Sequence, residues 1–140
     1  MNKILDSEPT RHYLSLLQDN ITRMASNSAG CKTWTITIVT TLLALTLADK
    51  TITEYLQVLY IPIFLFYILD SYYLSVEQRF RRIEEEFVCK AKIGEDTTDL
   101  LYAFNIHKFT WYKQFFRATT SISVWPCYLI IGFVIKLIIL

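Results

Sequence analysis

Glycine, proline and cysteine are scarce in this chain of 140 residues, three of each. Disordered, collagen-like and low-complexity classes are thereby excluded, and the length allows a single domain. Cys31, Cys89 and Cys127 are an odd number without close spacing, so neither a disulfide framework nor a zinc site is expected. The two histidines, His12 and His107, have no partner at metal-ligand spacing. Gly30, Gly94 and Gly132 stand alone, which argues against a phosphate-cradling loop, and no G-x-S-x-G is present. The triplet Glu84-Glu85-Glu86 reads as a solvated helix face. Neither catalysis nor a cofactor is expected. An excess of one charge is missing too: 14 Lys and Arg against 13 Asp and Glu leave +1. Without a basic field, direct nucleic-acid binding is not expected. Nor is a cleaved secretory signal, since the first apolar run starts near Thr33, behind 32 mostly polar residues.

What the chain holds instead is apolar side chain: 53% hydrophobic and 15% aromatic residues against 19% charged. Charged and uncharged stretches alternate. Lys32 and Asp49 bound 16 uncharged residues, Glu54 and Asp70 bound 15, and a third clean run extends from Ala118 to Lys136. Sixteen helical residues give roughly 24 Å against a hydrocarbon core of ~30 Å, so each run needs flanking residues to cross. Trp34, Tyr55, Tyr72 and Tyr73 suit interface depth, and Lys50 and Lys136 can snorkel. The pattern predicts an all-α integral membrane protein with three transmembrane helices, at residues 33–50, 55–75 and 119–139. Between the first two runs, DKTITE carries one Lys, whereas the amino-terminal segment and the stretch after the second run are rich in Lys and Arg. The positive-inside rule therefore puts the amino terminus in the cytoplasm, DKTITE outside, and the carboxyl terminus in the periplasm.

The flanking segments read as helical. Over residues 8–29, Tyr13, Leu14, Leu17, Ile21 and Met24 make a stripe at helical spacing, with Ser7 as a cap. This predicts an amphipathic cytoplasmic helix, joined to the first span through the small polar run SNSAG. The second span is expected to continue as a cytoplasmic helix to about Lys92. Glu77–Arg81, Arg81–Glu85 and Arg82–Glu86 are its i,i+4 pairs, Phe80, Ile83 and Phe87 its apolar face, and Gly94 its stop. The aromatic and cationic stretch within 95–117 reads as an interfacial segment.

Asp70 is the one ionisable residue set at the inner edge of a span. An acid there is expected to face the bundle or a cation, with Arg23, Arg79 or Arg82 as candidate partners in a gating ion pair. Thr37, Thr40, Thr41, Ala44 and Ala48 place small residues at four-residue spacing on the first span, the candidate seam of a homo-oligomer. Pro62 and Pro126 are expected to kink the second and third spans.

Four segments carry a resemblance. Arg23-Met24-Ala25-Ser26-Asn27-Ser28, Lys32-Thr33-Trp34, Pro62 through Leu69-Asp70-Ser71-Tyr72-Tyr73-Leu74, and Glu77-Gln78-Arg79-Phe80-Arg81 occur in this order. Over residues 10–88 the chain resembles a family of small bacterial three-span membrane proteins that look like the membrane components of two-gene anti-phage defence cassettes. One departure is Glu84, where the pattern has a tyrosine. The resemblance implies an inner-membrane effector beside a cytoplasmic sensor or signalling partner, acting on the lipid bilayer. The alternative is a non-conducting anchor for a cytoplasmic protein.

Overall fold

A computed structural model describes residues 7–48, 56–94, 100–102 and 111–139. Among these the chain is helical and contains no strand. Helix α1 spans Glu8–Ala48, α2 Tyr60–Ile93, α3 Trp111–Thr119 and α4 Trp125–Ile139. At ~1.5 Å per residue, α1 is about 60 Å long and α2 about 50 Å. The two run antiparallel over most of their length, so that Tyr13 meets Phe87 at one end and Val39 joins Leu59 and Ile63 at the other. Helix α3 packs on the middle of α2, and α4 packs beside α2 and α1 at the Val39 end.

One continuous α1 replaces the amphipathic helix and first span expected as separate elements joined at SNSAG. The reason is phase. Thr10, Tyr13, Leu17, Ile21, Ser28, Cys31, Thr35, Val39 and Thr46 are buried, and Met24 and Leu42 are partly so. These positions advance by three and four residues without a slip, so one face meets α2 along the whole helix. Ser28 and Thr35 are polar members of that stripe. The Ser7 carbonyl accepts the Arg11 N–H at 3.1 Å and starts the helix. At the far end of α2, Gly94 takes a left-handed φ of 84°, and its N–H donates to the Ala91 carbonyl at 3.3 Å, which stops the helix where expected.

Neither proline lies in a helix interior, where a kink was expected. Leu56 to Leu59 form a 3₁₀ turn, so Pro62 falls in the first α turn of α2, and Pro126 is the second residue of α4. An absent N–H costs little in a first turn, where it has no intrahelical acceptor. The third apolar helix starts at Trp125, not 119, because α3 continues through Thr119. The Ser121 carbonyl then accepts the N–H groups of Val124 and Trp125 in the intervening turn. Within 95–117 the described residues are 100–102 and the α3 part; Tyr55 and the whole DKTITE segment, Lys50 included, lie outside the described residues.

Two apolar cores lie at opposite ends of the α1–α2 pair. One gathers Tyr13, Leu17, Ile21, Phe80, Ile83 and Phe87, where the Tyr13 and Phe87 rings meet edge to face at 5.0 Å. The other gathers Val39, Leu56, Leu59, Ile63, Val124, Tyr128 and Ile135. Their surroundings differ. Around the second core many large apolar side chains are exposed, among them Ile61, Phe64, Leu129 and Phe133. Around the first, Arg11, Asp19, Arg23, Arg81 and Glu85 are exposed. Helix α2 is long and apolar enough to cross a membrane.

Leu17 is wholly buried in the charged-surface half. Leu17→Ala is expected to lower stability by about 2–5 kcal/mol, the usual cost of a buried leucine cavity. Phe64→Ala, on the exposed apolar face, is expected to cost far less. Unfolding of the purified protein in mild detergent measures both.

Candidate functional site

Between the two apolar cores the helices meet through polar side chains. Asp70, Ser71 and Ser75 of α2 are fully buried, and Thr35, Ser28 and Cys31 of α1 nearly so. Ser71 and Ser75 donate back to the carbonyls of Tyr67 and Tyr72, each at 2.8 Å, and Thr35 to that of Cys31 at 2.8 Å. Such bonds satisfy a hydroxyl within its own helix and leave no buried donor unpaired. Asp70 cannot do this. A carboxylate is acceptor-only and needs donors from elsewhere.

Helix α1 supplies them. The Ser28 hydroxyl donates to Oδ1 of Asp70, and the Lys32 ammonium lies 2.7 Å from Oδ2. Lys32 Nζ also donates to Ser28 Oγ at 3.2 Å, which closes a triangle of three side chains. Ser28 and Lys32 are one turn apart, so a single face of α1 presents both. The Lys32–Oδ2 contact is an ion pair rather than a directed hydrogen bond, since no donor is aligned on Oδ2. Burial is uneven: the Lys32 side chain is 24% exposed and the Asp70 side chain 0%. The ammonium thus reaches solvent depth while the carboxylate stays inside.

Helix α4 closes the site from a third side. The Tyr128 hydroxyl donates to the Phe66 carbonyl at 3.3 Å, one turn before Asp70, and its ring stands edge to face with Tyr67 at 5.5 Å. Tyr67 in turn donates to the Thr119 carbonyl at 2.9 Å and fixes the α3–α4 turn to α2.

The expected arginine partners are not on Asp70. Arg23 donates to Asn20 at 2.8 Å, and Arg79 Nε donates to Gln114 of α3 at 3.0 Å. Arg79 and Arg82 sit nine and twelve residues farther along the same straight helix, roughly 13 and 18 Å of rise from Asp70. That distance puts them in the charged-surface half. Arg23 is exposed, more than a turn from the buried Ser28 toward the charged-surface half. Lys32, counted in the sequence only as loop charge, is the true partner. Of the expected i,i+4 pairs, Glu77–Arg81 forms at 2.8 Å. Glu84 accepts from Gln18 of α1 at 3.2 Å, a polar contact where a tyrosine was the pattern.

The candidate seam faces outward. Thr37, Thr40, Thr41 and Ala44 are exposed. The hydroxyls of Thr37 and Thr40 donate to the Thr33 and Ile36 carbonyls at 2.9 and 2.8 Å. The side chain of Ala48 lies outside the described residues. Ser28, Lys32, Thr35 and Tyr128 were missed as site residues. The unbroken three-four spacing through Ser28 and Thr35 was the signal that could have found those two, and Lys32 stands one turn from Ser28. Tyr128 had none.

The buried triangle draws Ser28, Lys32 and Asp70 from three separate segments of the motif series. Among the described residues no group of three His, Cys, Asp or Glu side chains converges on a metal-sized space. No protein-family model matches the chain, and no curated protein or solved structure shows significant similarity to it.

Removing one partner of a buried pair leaves the other uncompensated, a loss on the order of 3–5 kcal/mol, against ~1 at most for an exposed pair. Asp70→Asn and Lys32→Gln are each expected to destabilise the protein toward that range. The double variant should cost clearly less than their sum. Asp70→Asn combined with Arg79→Gln, in contrast, should be additive. Thermal unfolding in detergent across these cycles identifies the partner.

Proposed function

We propose that the chain is a three-span inner-membrane effector that assembles into a homo-oligomer. A trigger at its cytoplasmic helices makes it perturb the bilayer. The spans are the second half of α1, the first half of α2, and α4, with the amino terminus cytoplasmic and the carboxyl terminus periplasmic. One observation carries the reading. Helices α1 and α2 run unbroken from a half with many exposed charged side chains into a half whose exposed side chains are uncharged and largely apolar, and a buried ion pair joins them at the boundary. An apolar surface of that extent suits lipid, which takes no hydrogen bonds and is compatible with helices whose backbone groups are paired internally. Two continuous helices also give a direct mechanical route. A displacement at Tyr13 or Phe87 reaches the spans through the Lys32–Asp70 contact, with no loop to absorb it.

The exposed small-residue stripe of Thr37, Thr41 and Ala44 supports assembly, because small side chains let backbones approach closely within lipid. The likeness to membrane components of defence cassettes supplies the context: a cytoplasmic sensor delivers the signal, and loss of membrane integrity stops growth of the infected cell. On this reading the chain catalyses no reaction and holds no cofactor.

Induced expression with a potential-sensitive dye, with and without phage challenge, tests the effector. Triggered depolarisation is expected, and Asp70→Asn should either abolish it or release it without a trigger. An unchanged potential under all conditions would favour a non-conducting anchor. Orientation is tested separately in a cysteine-free background. A single cysteine at Thr51 should label from outside, and one at Glu85 only after permeabilisation.

A further inference from the structure

In the apolar half, α2 and α4 leave a groove of about 870 Å³ between them. Phe64 and Tyr67 wall it on one side, and Trp125, Leu129 and Phe133 on the other. Gly132 lies against Tyr60, whose hydroxyl donates to the Gly132 carbonyl at 3.4 Å. The single charged lining residue is Lys136, one turn beyond Gly132. It is exposed, and no acid among the described residues lies within ion-pair distance of it.

We propose that this groove holds one acyl chain of an anionic phospholipid whose phosphate sits on Lys136. The proposal rests on the membrane-spanning reading. Three features select this occupant. From Trp125 to Lys136 the groove follows α4 for roughly 16 Å, close to the ~15 Å depth of one leaflet. Its walls are apolar and aromatic, as a hydrocarbon chain requires. Its charge stands at one end, where a lysine near the bilayer edge needs an anion or water for its ammonium. A second copy packed symmetrically on the same face would bring a second Lys136 toward the first, so charge disfavours that occupant.

The test uses the full chain, purified in mild detergent and titrated with phosphatidylglycerol or phosphatidylcholine of identical acyl chains, with bound lipid counted by native mass spectrometry. Phosphatidylglycerol is expected to be retained about fivefold more strongly, the preference one lysine gives at an anionic surface. Lys136→Gln should equalise the two lipids. Gly132→Leu should expel both by filling the groove. Gly132→Ala, whose added methyl would stand 3.9 Å from the Tyr60 ring, should bind as the parent does and serves as the folding control. A photoreactive acyl chain should label α4 between 125 and 136.

Equal retention of both lipids by the parent, or a preference that survives Lys136→Gln, overturns the proposal. So does a photoreactive side chain at Leu129 that crosslinks to another protomer in place of lipid. Carbonate washing of membranes separates the two readings. Release of the protein into the supernatant overturns the spanning reading and the lipid site together. Retention in the membrane without headgroup preference overturns the lipid site alone.

Discussion

A carboxylate with no exposed surface constrains everything around it. Asp70 is placed where α1 and α2 cross between two apolar cores, and its two oxygens turn to Ser28 and Lys32. The adjoining hydroxyls of Ser71, Ser75 and Thr35 can be buried because each bonds to its own helix backbone. The carboxylate has no such local solution. Helix α1 must therefore meet α2 in one register, with the turn from 28 to 32 opposite residue 70. The amino-terminal apolar core and the Val39 core follow from that register. Tyr13 reaches Phe87 and Val39 reaches Ile63 because the centre is fixed.

The apolar stripe of α1 could not impose this alone. Its positions repeat at three- and four-residue intervals from Thr10 to Thr46, so a slide of seven residues, about 10 Å, would again present one face to α2. Shape complementarity would suffer in such a slide, but the pattern of apolar and polar positions would largely survive. The charge pattern would not. A slide of seven residues puts Ile21 and Ala25, or Thr35 and Val39, in place of Ser28 and Lys32, and leaves the buried charge without a cation at a cost of several kcal/mol. A buried ion pair that contributes little net stability can in this way still select a single arrangement.

Much of the architecture was legible in the sequence, and the failures have physical causes. The all-helical class, the long α2 and its stop at Gly94 follow from periodicity and one glycine. Two helices were expected where α1 is one, because Ser28 and Gly30 look like a joint when only apolar residues are counted. The hydroxyl of Ser28 answers a buried acid 42 residues away in sequence. Asp70 stood out through its apolar neighbours. Its partner did not, because arginine is the customary mate for a carboxylate and Lys32 was counted only among the amino-terminal charges. The rise of a straight helix already argues against Arg82, twelve residues along. The prolines misled for a related reason: a kink requires an interior position, and helix starts are the least legible boundaries in a continuous apolar run.

On the effector reading, the same ion pair limits how the spans can rearrange. A slide of α1 along α2 separates Lys32 from Asp70 and meets the full penalty of the stranded carboxylate. A pivot about that contact keeps the pair and instead opens the cores on either side. Opening the amino-terminal core exposes Leu17 and Phe87, whereas opening the other exposes Val39 and Ile63. These exposures are not equivalent. In water, newly exposed apolar surface costs ~25 cal/mol per Å², but in hydrocarbon it is nearly free of hydrophobic cost and loses mainly packing. A pivot is therefore softer on the membrane side. A partner that grips the cytoplasmic helices would spread the spans before it unpacks its own docking surface, and the unequal burial of Lys32 lets the ammonium follow the carboxylate through such a movement.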